Sequence, residues 1–287
     1  MHLRQEDNAM TDPIFVRIAD ALDRLAAPNL AMPDPSIGSV WTWDGLICQV
    51  SPVPRARHLP LDLILGADAQ KERLIRNTSH FAAGYPANHA MLWGTRGTGK
   101  SALVKAVHAQ IGCEQPQLKL IEVSRNDIAS VPVLARKLCD AGWRAIIFID
   151  DLSFERGDES YKALKSVLDG GVSGDLSHVL VYVTSNRRHL VNRSDGSQTD
   201  FRPDETVEEQ IALSERFGLW LGFHAMDQAL WLAIINSYAK ALNLNPKDQG
   251  LERSALQWAD QRGSRTGRSA WQFTIKRAGD LGKSVTF

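Results

Sequence analysis

The hydrophobic positions along the chain alternate between short apolar runs and segments with helical spacing. The apolar runs predict buried strands at 90–93, 118–123, 145–149, 179–184 and 219–223. Helical patterns lie between them at 100–110, 126–141, 158–168 and 205–213. Strands that alternate with helices are typical of a parallel sheet covered by helices on both faces. The pattern therefore predicts an α/β fold with a five-stranded parallel sheet.

The flanking segments have different patterns. After the last strand, the spacing predicts three further helices, at 227–242, 252–261 and 267–280. Before the first strand, a helix is expected at 12–27 and a strand-like segment at 40–50, with prolines between and after them. The predicted domains are an N-terminal extension at 1–58, an α/β domain at 59–223 and a helical domain at 224–287.

Composition and charge narrow the class of protein. Hydrophobic residues make up 44% of the chain and charged residues 23%, which excludes a fully disordered chain. Lys and Arg number 33, as do Asp and Glu, so a strongly basic nucleic-acid coat is not expected, although a local patch stays open. The apolar runs are shorter than the roughly 20 residues that a membrane-spanning helix needs, and the N-terminal segment shows no secretory signal pattern. The cysteines do not have the spacing of metal ligands. We therefore expect a cytoplasmic protein without a membrane partner.

A glycine-rich segment after the first predicted sheet strand carries the clearest chemistry. Residues 94–101 match the P-loop pattern G-x-x-x-x-G-K-[ST]. Glycines let consecutive backbone N–H groups face phosphate oxygens, and the following helix adds its positive N-terminal dipole. Lys100 can reach the β- and γ-phosphates, and the Ser101 hydroxyl can ligate Mg²⁺. The predicted nucleotide-binding residues are Gly94, Thr95, Arg96, Gly97, Thr98, Gly99, Lys100, Ser101 and Ala102.

Polar residues at the ends of two other strands complete a candidate hydrolytic site. Asp150 and Asp151 follow the buried strand at 145–149. Asp150 is the candidate second metal ligand, and Asp151 is the candidate general base that polarises an attacking water. Capping of a helix start is the alternative for both. Asn186 follows the strand at 179–184, and it enters the same crevice if that strand lies between the other two; a plain turn asparagine is the alternative.

These motifs, in this order, resemble those of an AAA+ ATPase over about residues 61–280. The resemblance implies ATP and Mg²⁺ as ligands and hydrolysis of ATP to ADP and phosphate. The segment 214–218 resembles the arginine-finger box, which implies that Arg216 reaches a neighbouring subunit's nucleotide in a homo-oligomer. An intramolecular salt bridge is the alternative for Arg216. Gly267-Arg268 resembles sensor 2, which implies that Arg268 lies over the γ-phosphate and that the three C-terminal helices form a lid.

More narrowly, the chain resembles a bacterial ATPase family known as domain of unknown function 815. The segments that carry this likeness are 92–101, 150–155, 161–165, 184–190, 216–220 and 267–273. One departure from the broader AAA+ pattern is the pair Asp150-Asp151 in place of Asp-Glu. Because Asp is one methylene shorter, its carboxylate sits roughly 1 Å further back. Slow hydrolysis is therefore expected unless the backbone brings Asp151 closer.

Two other functions stay open at this point. The short Asp151 suggests a non-hydrolysing nucleotide switch or adaptor, whose loops reorder with the γ-phosphate. Arg187 and Arg188 weakly suggest a loader that places a protein on DNA, and a solvated loop end is the favoured explanation for them. Core packing explains the eight tryptophans better than stacking on nucleic acid does. The favoured interpretation is an ATP-binding ATPase that drives or switches an interaction with an unidentified protein partner.

Overall fold

The computed structural model describes residues 32–154, 160–170, 176–186, 212–244 and 250–283. The chain divides into two compact units, Met1–Pro33 and Asp34–Phe287, and the fold described below is that of the second. The predicted helix at 12–27, most of the one at 205–213, and Arg187 and Arg188 lie outside the described residues.

A seven-stranded sheet forms the centre of the second unit. Its strands follow the order β2-β1-β4-β5-β6-β3-β7. Only the β1–β2 pair is antiparallel, and the other neighbours run parallel. The strands are β1 (Val40–Asp44), β2 (Gln49–Pro52), β3 (Ala90–Gly94), β4 (Leu118–Val123), β5 (Arg144–Ile149), β6 (Val179–Ser185) and β7 (Leu219–Phe223).

The prediction of five strands is wrong, because a hairpin of β1 and β2 extends the sheet beyond β4. The alternation Val40-Trp-Thr-Trp-Asp44 places two tryptophans on one face of β1, and Trp41 and Trp43 are 0% and 4% exposed. The ring centroids of Trp41 and Trp143 lie 4.9 Å apart. The Trp43 indole N–H also donates to Ser130 Oγ at 2.7 Å. Part of the predicted N-terminal extension therefore belongs to the central sheet.

Helices cover both faces of the sheet. Helices α1 and α2 pack on one face, against β-strand side chains such as Leu120, Phe148 and Tyr182. Helix α3 contacts β5 and β6 and packs against α4 on the other face. The resulting three layers are those predicted from the alternating pattern. The helices of this region are α1 (Asp68–Ala82), α2 (Lys100–Glu114), α3 (Val131–Asp140) and α4 (Ser160–Leu168), with short 3₁₀ helices at Leu61–Leu63 and Arg125–Ser130.

Three C-terminal helices build a second hydrophobic core. They are α5 (Gln228–Ala241), α6 (Leu251–Arg262) and α7 (Gly267–Asp280), and their buried side chains include Trp231, Ile235 and Phe273. Leu63, from the segment before α1, packs into the same cluster and so links this helical lid to the sheet region. Among the described helices, none is long and apolar enough to span a membrane.

Candidate nucleotide-binding site

The P-loop connects β3 to α2 through three glycines that adopt positive φ angles. These angles are 133° at Gly94, 74° at Gly97 and 94° at Gly99, a region that side chains disfavour. A Cβ at Gly94 would lie 1.9 Å from the Phe223 carbonyl oxygen, and one at Gly97 would lie 2.7 Å from Thr266 Cβ. The loop therefore passes so close to β7 and to the start of α7 that only glycine fits.

Lys100 is held inside the curve of this loop. Lys100 is 6% exposed. Its Nζ donates hydrogen bonds to Gly94 O and Thr95 O, both at 2.8 Å, and to Asn186 Oδ1 at 3.2 Å. Burial lowers the pKa of Lys100, while the nearby carboxylates of Asp151 and Asp150 act to raise it. The buried cation is thus fixed where the loop curves around it.

Asp150 stands at the carboxyl end of β5 between two hydroxyl groups. Ser101 Oγ, in the first turn of α2, donates to Asp150 Oδ1 at 2.5 Å. Thr184 Oγ1, on the neighbouring strand β6, donates to the same carboxylate oxygen. Hydroxyl and carboxylate oxygens are the ligands that Mg²⁺ prefers. Among the described residues, no three His, Cys, Asp or Glu side chains group as a metal site.

Asp151 follows in a left-handed backbone conformation, with φ of 53°. Its N–H donates to Thr184 Oγ1 at 2.8 Å. Its Oδ1 accepts a hydrogen bond from Asn186 Nδ2, and its Oδ2 lies 3.8 Å from the Arg96 guanidinium. The strand β6 does lie between β3 and β5, so Asn186 enters the crevice between the P-loop and the carboxylates. Asp tolerates the left-handed region better than most residues do, which gives a backbone reason for Asp at this position.

One cavity of about 640 Å³ runs from the P-loop to an apolar end under the lid. The apolar end is formed by residues before α1 and by lid residues, including Ile64, Ile234, Tyr238 and Trp271. The Tyr238 and Trp271 rings meet edge to face, with centroids 5.3 Å apart. Burial raises the pKa of Tyr238 to about 12. The cavity therefore has a charged end and an aromatic end.

The predicted site residues fall into three groups. Most line the cavity, from the P-loop through the carboxylates to the lid: Arg96, Gly97, Thr98, Gly99, Lys100, Ser101, Ala102, Asp150, Asp151, Asn186 and Arg268. Gly94 and Thr95 are not among the lining residues, and they supply the carbonyl oxygens that hold Lys100. Arg216 lies apart from the cavity lining, since its Nε donates to Asp169 Oδ1 and its Nη1 donates to Ala212 O, both at 2.5 Å.

Sequence reasoning missed several residues of the site, among them Trp271, Tyr238 and Thr184. Trp271 follows Arg268 by three residues, and that spacing already places both side chains on one face of a helix. Tyr238 sits within a mostly apolar helical pattern, which carries no local signal of a ligand. Thr184 becomes a site residue only through strand pairing, because the register Ile149↔Val183 brings it beside Asp150.

Comparisons with other proteins bear on the family and the fold. A family profile described as "Protein of unknown function (DUF815)" matches residues 38–281, and no curated protein matches the sequence significantly. The structure is similar to that of Aeropyrum pernix Orc1 in complex with DNA, with 15% identity and a TM-score of 0.56 over 78% of this chain. The chain spans 65% of the length of that Orc1 chain. Aeropyrum pernix Orc2, in ADPNP–ADP complexes, gives 12% identity and a TM-score of 0.53, with 80% of this chain and 68% of that chain covered. At these identities the likeness concerns the fold.

Proposed function

Since the chain belongs to the DUF815 family and has a three-layer P-loop NTPase fold of the AAA+ type, we propose that it binds ATP and hydrolyses it to ADP and phosphate. The observation that carries this proposal is that Lys100, Asp150, Asp151 and Asn186 converge at one end of a single cavity. In the proposal, hydrolysis drives or switches an interaction with a protein partner.

The P-loop end of the cavity is suited to a triphosphate. The glycine-rich curve leads into the N-terminus of α2, where unpaired backbone N–H groups and the helix dipole favour anions. Lys100 would exchange its carbonyl contacts for β- and γ-phosphate oxygens, which are charged acceptors and bind an ammonium group more strongly. The N-terminus of α7 meets the same end of the cavity through Gly267 and Arg268.

The oxygen pair of Ser101 and Asp150 fits Mg²⁺. Their 2.5 Å hydrogen bond shows that α2 and β5 already bring one hydroxyl and one carboxylate together. A metal ion bound there would neutralise charge on the phosphate oxygens. Thr184, which donates to the same carboxylate, would keep Asp150 in orientation.

The proposed reaction uses groups that line the P-loop end of the cavity. The oxygen of a water molecule forms a bond to the γ-phosphorus while the bond to the β–γ bridging oxygen breaks. The proton of that water passes to the Asp151 carboxylate, and ADP and inorganic phosphate leave. Lys100 and Arg268 would stabilise the negative charge that spreads over the phosphoryl oxygens, and Asn186 would orient the water.

The aromatic end of the cavity is suited to the base. Adenine offers a flat apolar surface, and the Tyr238 and Trp271 rings line this end of the cavity together with Ile64 and Ile234. Tyr238 is 6% exposed, and its side-chain hydroxyl makes no hydrogen bond to the described residues. Its hydroxyl would therefore gain a partner from a base or a ribose.

A nucleotide switch without turnover is the second candidate. Both carboxylate oxygens of Asp151 already face donors, Asn186 and Arg96, which favours a restrained base. Arg187 and Arg188, which suggested a DNA loader, lie outside the described residues and support no proposal.

The first experiment measures ATP affinity and phosphate release by the purified full chain. Lys100→Ala should weaken ATP binding about a hundredfold or more, because a charged donor to the phosphates is worth about 3 kcal/mol. Lys240→Ala, at an exposed site near the end of α5, is the matched control and should bind as the wild type does. Lys100→Ala binding within about threefold of wild type would contradict the P-loop assignment. Tight ATP binding by the wild type without phosphate release would favour the switch.

A further inference from the structure

Arg96 is a P-loop residue whose long cationic side chain faces the proposed base. It lies between Thr95 and Gly97 and lines the cavity, and its side chain is 81% exposed. Its Nη2 is 3.8 Å from Asp151 Oδ2. The other oxygen, Asp151 Oδ1, accepts a hydrogen bond from Asn186. Each oxygen of the proposed base therefore faces a donor before any nucleotide enters.

The other cations near the site are placed differently. Lys100 is buried and bound to three oxygens, at Gly94, Thr95 and Asn186. Arg216 is bound twice within its own chain, away from the cavity lining. Of the arginines that line the described cavity, Arg268 enters from the lid and Arg96 from the P-loop itself. Arg96 thus stands on the loop that would wrap the phosphates.

The Arg96–Asp151 pair is one that a phosphate can displace. An exposed ion pair at 3.8 Å contributes little, because water screens it and both side chains lose freedom. A terminal phosphate carries more negative charge than a carboxylate and accepts both arms of a guanidinium. A γ-phosphate at the end of the P-loop would therefore compete successfully for Arg96.

We propose that Arg96 is a γ-phosphate sensor that acts within its own chain. Without the γ-phosphate, Arg96 pairs with Asp151 Oδ2 and restrains the base. With ATP bound, Arg96 turns to the γ-phosphate, and the freed oxygen accepts a hydrogen bond from the attacking water. This inference rests on the proposed ATP site, and it assigns to one arginine both the recognition of the third phosphate and the release of the base.

The test compares the binding of ADP with that of a non-hydrolysable ATP analogue, the β,γ-imido triphosphate. Arg96→Ala should weaken binding of the analogue about tenfold or more, as expected for one charge-assisted contact to phosphate, and change ADP binding less than about twofold. Arg96→Lys should recover part of the loss, since it keeps the charge without the fork. Arg136→Ala, on the exposed face of α3, removes the same charge outside the cavity and should leave both affinities unchanged.

Turnover and mixing complete the test. The proposal expects kcat for Arg96→Ala to fall at least about tenfold, by analogy with arginines that stabilise phosphoryl transfer. Equimolar mixing with Lys100→Ala protein should restore no activity, because both defects lie in one site; recovery would instead place Arg96 in a neighbour's site.

Equal changes in the affinity for ADP and for the analogue, or no change in either, would overturn the sensor. If wild type releases no phosphate but discriminates the analogue from ADP through Arg96, the hydrolysis proposal fails and the sensor stands. If wild type binds neither nucleotide, both fail.

Discussion

At the scale of single residues, one threonine organises both acids of the site. Thr184 Oγ1 donates to the Asp150 carboxylate and accepts the N–H of Asp151 at 2.8 Å. This contact fixes the turn that carries Asp151 at φ of 53°. The two adjacent carboxylates therefore point to different neighbours, Asp150 to Ser101 and Asp151 to Asn186.

Different neighbours predict different defects for the two acids. Asp150→Ala should remove the Mg²⁺ dependence of ATP binding while some affinity remains, because the metal loses its carboxylate. Asp151→Ala should keep ATP and Mg²⁺ binding and lower turnover about 10²–10⁴-fold, the usual contribution of a general base. Magnesium titrations of nucleotide binding, together with phosphate release, measure both. Equal loss of binding in the two variants would show that the assigned roles do not separate.

The residues that the sequence predicted are those whose spacing is local. The P-loop glycines, Lys100 and Ser101 lie within eight positions of one another, and their pattern specifies a backbone shape as well as a chemistry. Asp150 and Asp151 were predicted because they end a continuous apolar run. Thr184 and Tyr238 were not, because their roles come from strand register and from lid packing, which no short window of sequence contains.

At the scale of elements, the P-loop and helix α7 are joined directly. The Gly267 N–H donates to Gly97 O at 2.7 Å, so the lid is hydrogen-bonded to the backbone that would hold the phosphates. Thr266 caps α7 through a reciprocal pair of hydrogen bonds with Ser269. The Trp231 indole N–H donates to Thr266 O and to Ser269 Oγ, which ties the start of α7 to α5. A shift of the P-loop would therefore reach two lid helices.

A methyl group at Gly97 tests this junction. Gly97→Ala places a Cβ 2.7 Å from Thr266 Cβ, in addition to the strain of a φ of 74°. We expect weaker ATP binding and faster proteolysis of the lid helices, as α7 is pushed from the loop. Gly142→Ala is the matched control, because Gly142 has a φ of 68° with open space around its Cβ position.

The two glycine variants should differ in kind. Gly142→Ala should cost stability by about 1 kcal/mol, the strain of a left-handed alanine, and leave ATP affinity unchanged. Gly97→Ala should lower the stability measured by thermal unfolding more than Gly142→Ala does, and it should also weaken ATP binding. If both variants changed ATP affinity equally, the contact between the P-loop and α7 would not be coupled to ATP binding. The effect of Gly97→Ala would then come from backbone strain alone.

Most elements were predicted because each can be recognised from the hydrophobic pattern of its own residues. The five strands from β3 to β7 are short apolar runs, and the lid helices show regular helical spacing. The hairpin of β1 and β2 was recognised only as strand-like, because its partner β4 lies far along the chain and nothing local specifies that pairing. What fixes it is the burial of Trp41 and Trp43 against the sheet and the loop that follows β4.

At the scale of the whole molecule, the role of Arg216 decides whether one chain completes the site. Arg216 is bound within its chain to Asp169, and the two side chains are 27% and 45% exposed. A partly exposed pair of this kind contributes about 0–1 kcal/mol, so a second copy of the chain could draw Arg216 away. The arginine-finger role that the AAA+ resemblance implies for Arg216 in a homo-oligomer depends on that exchange.

Concentration and mixing experiments address this exchange. If Arg216 serves a neighbouring site, Arg216→Ala should keep monomer ATP affinity and lose most turnover, as arginine fingers supplied in trans do. Wild-type activity should then rise more than linearly with protein concentration. Mixing Arg216→Ala with Asp151→Asn protein should restore some activity, because each supplies what the other lacks. Linear activity without rescue would leave Arg216 as a partner of Asp169 alone.

The edge-to-face pair of Tyr238 and Trp271 has an optical consequence. Trp271 is the only tryptophan among the described residues that line the cavity, and the emission of an indole depends on the polarity and the rings around it. A base that enters beside this pair would change both. If the base binds there, Trp271 would report occupancy by its fluorescence, and the difference spectrum between wild type and Trp271→Phe would assign the signal.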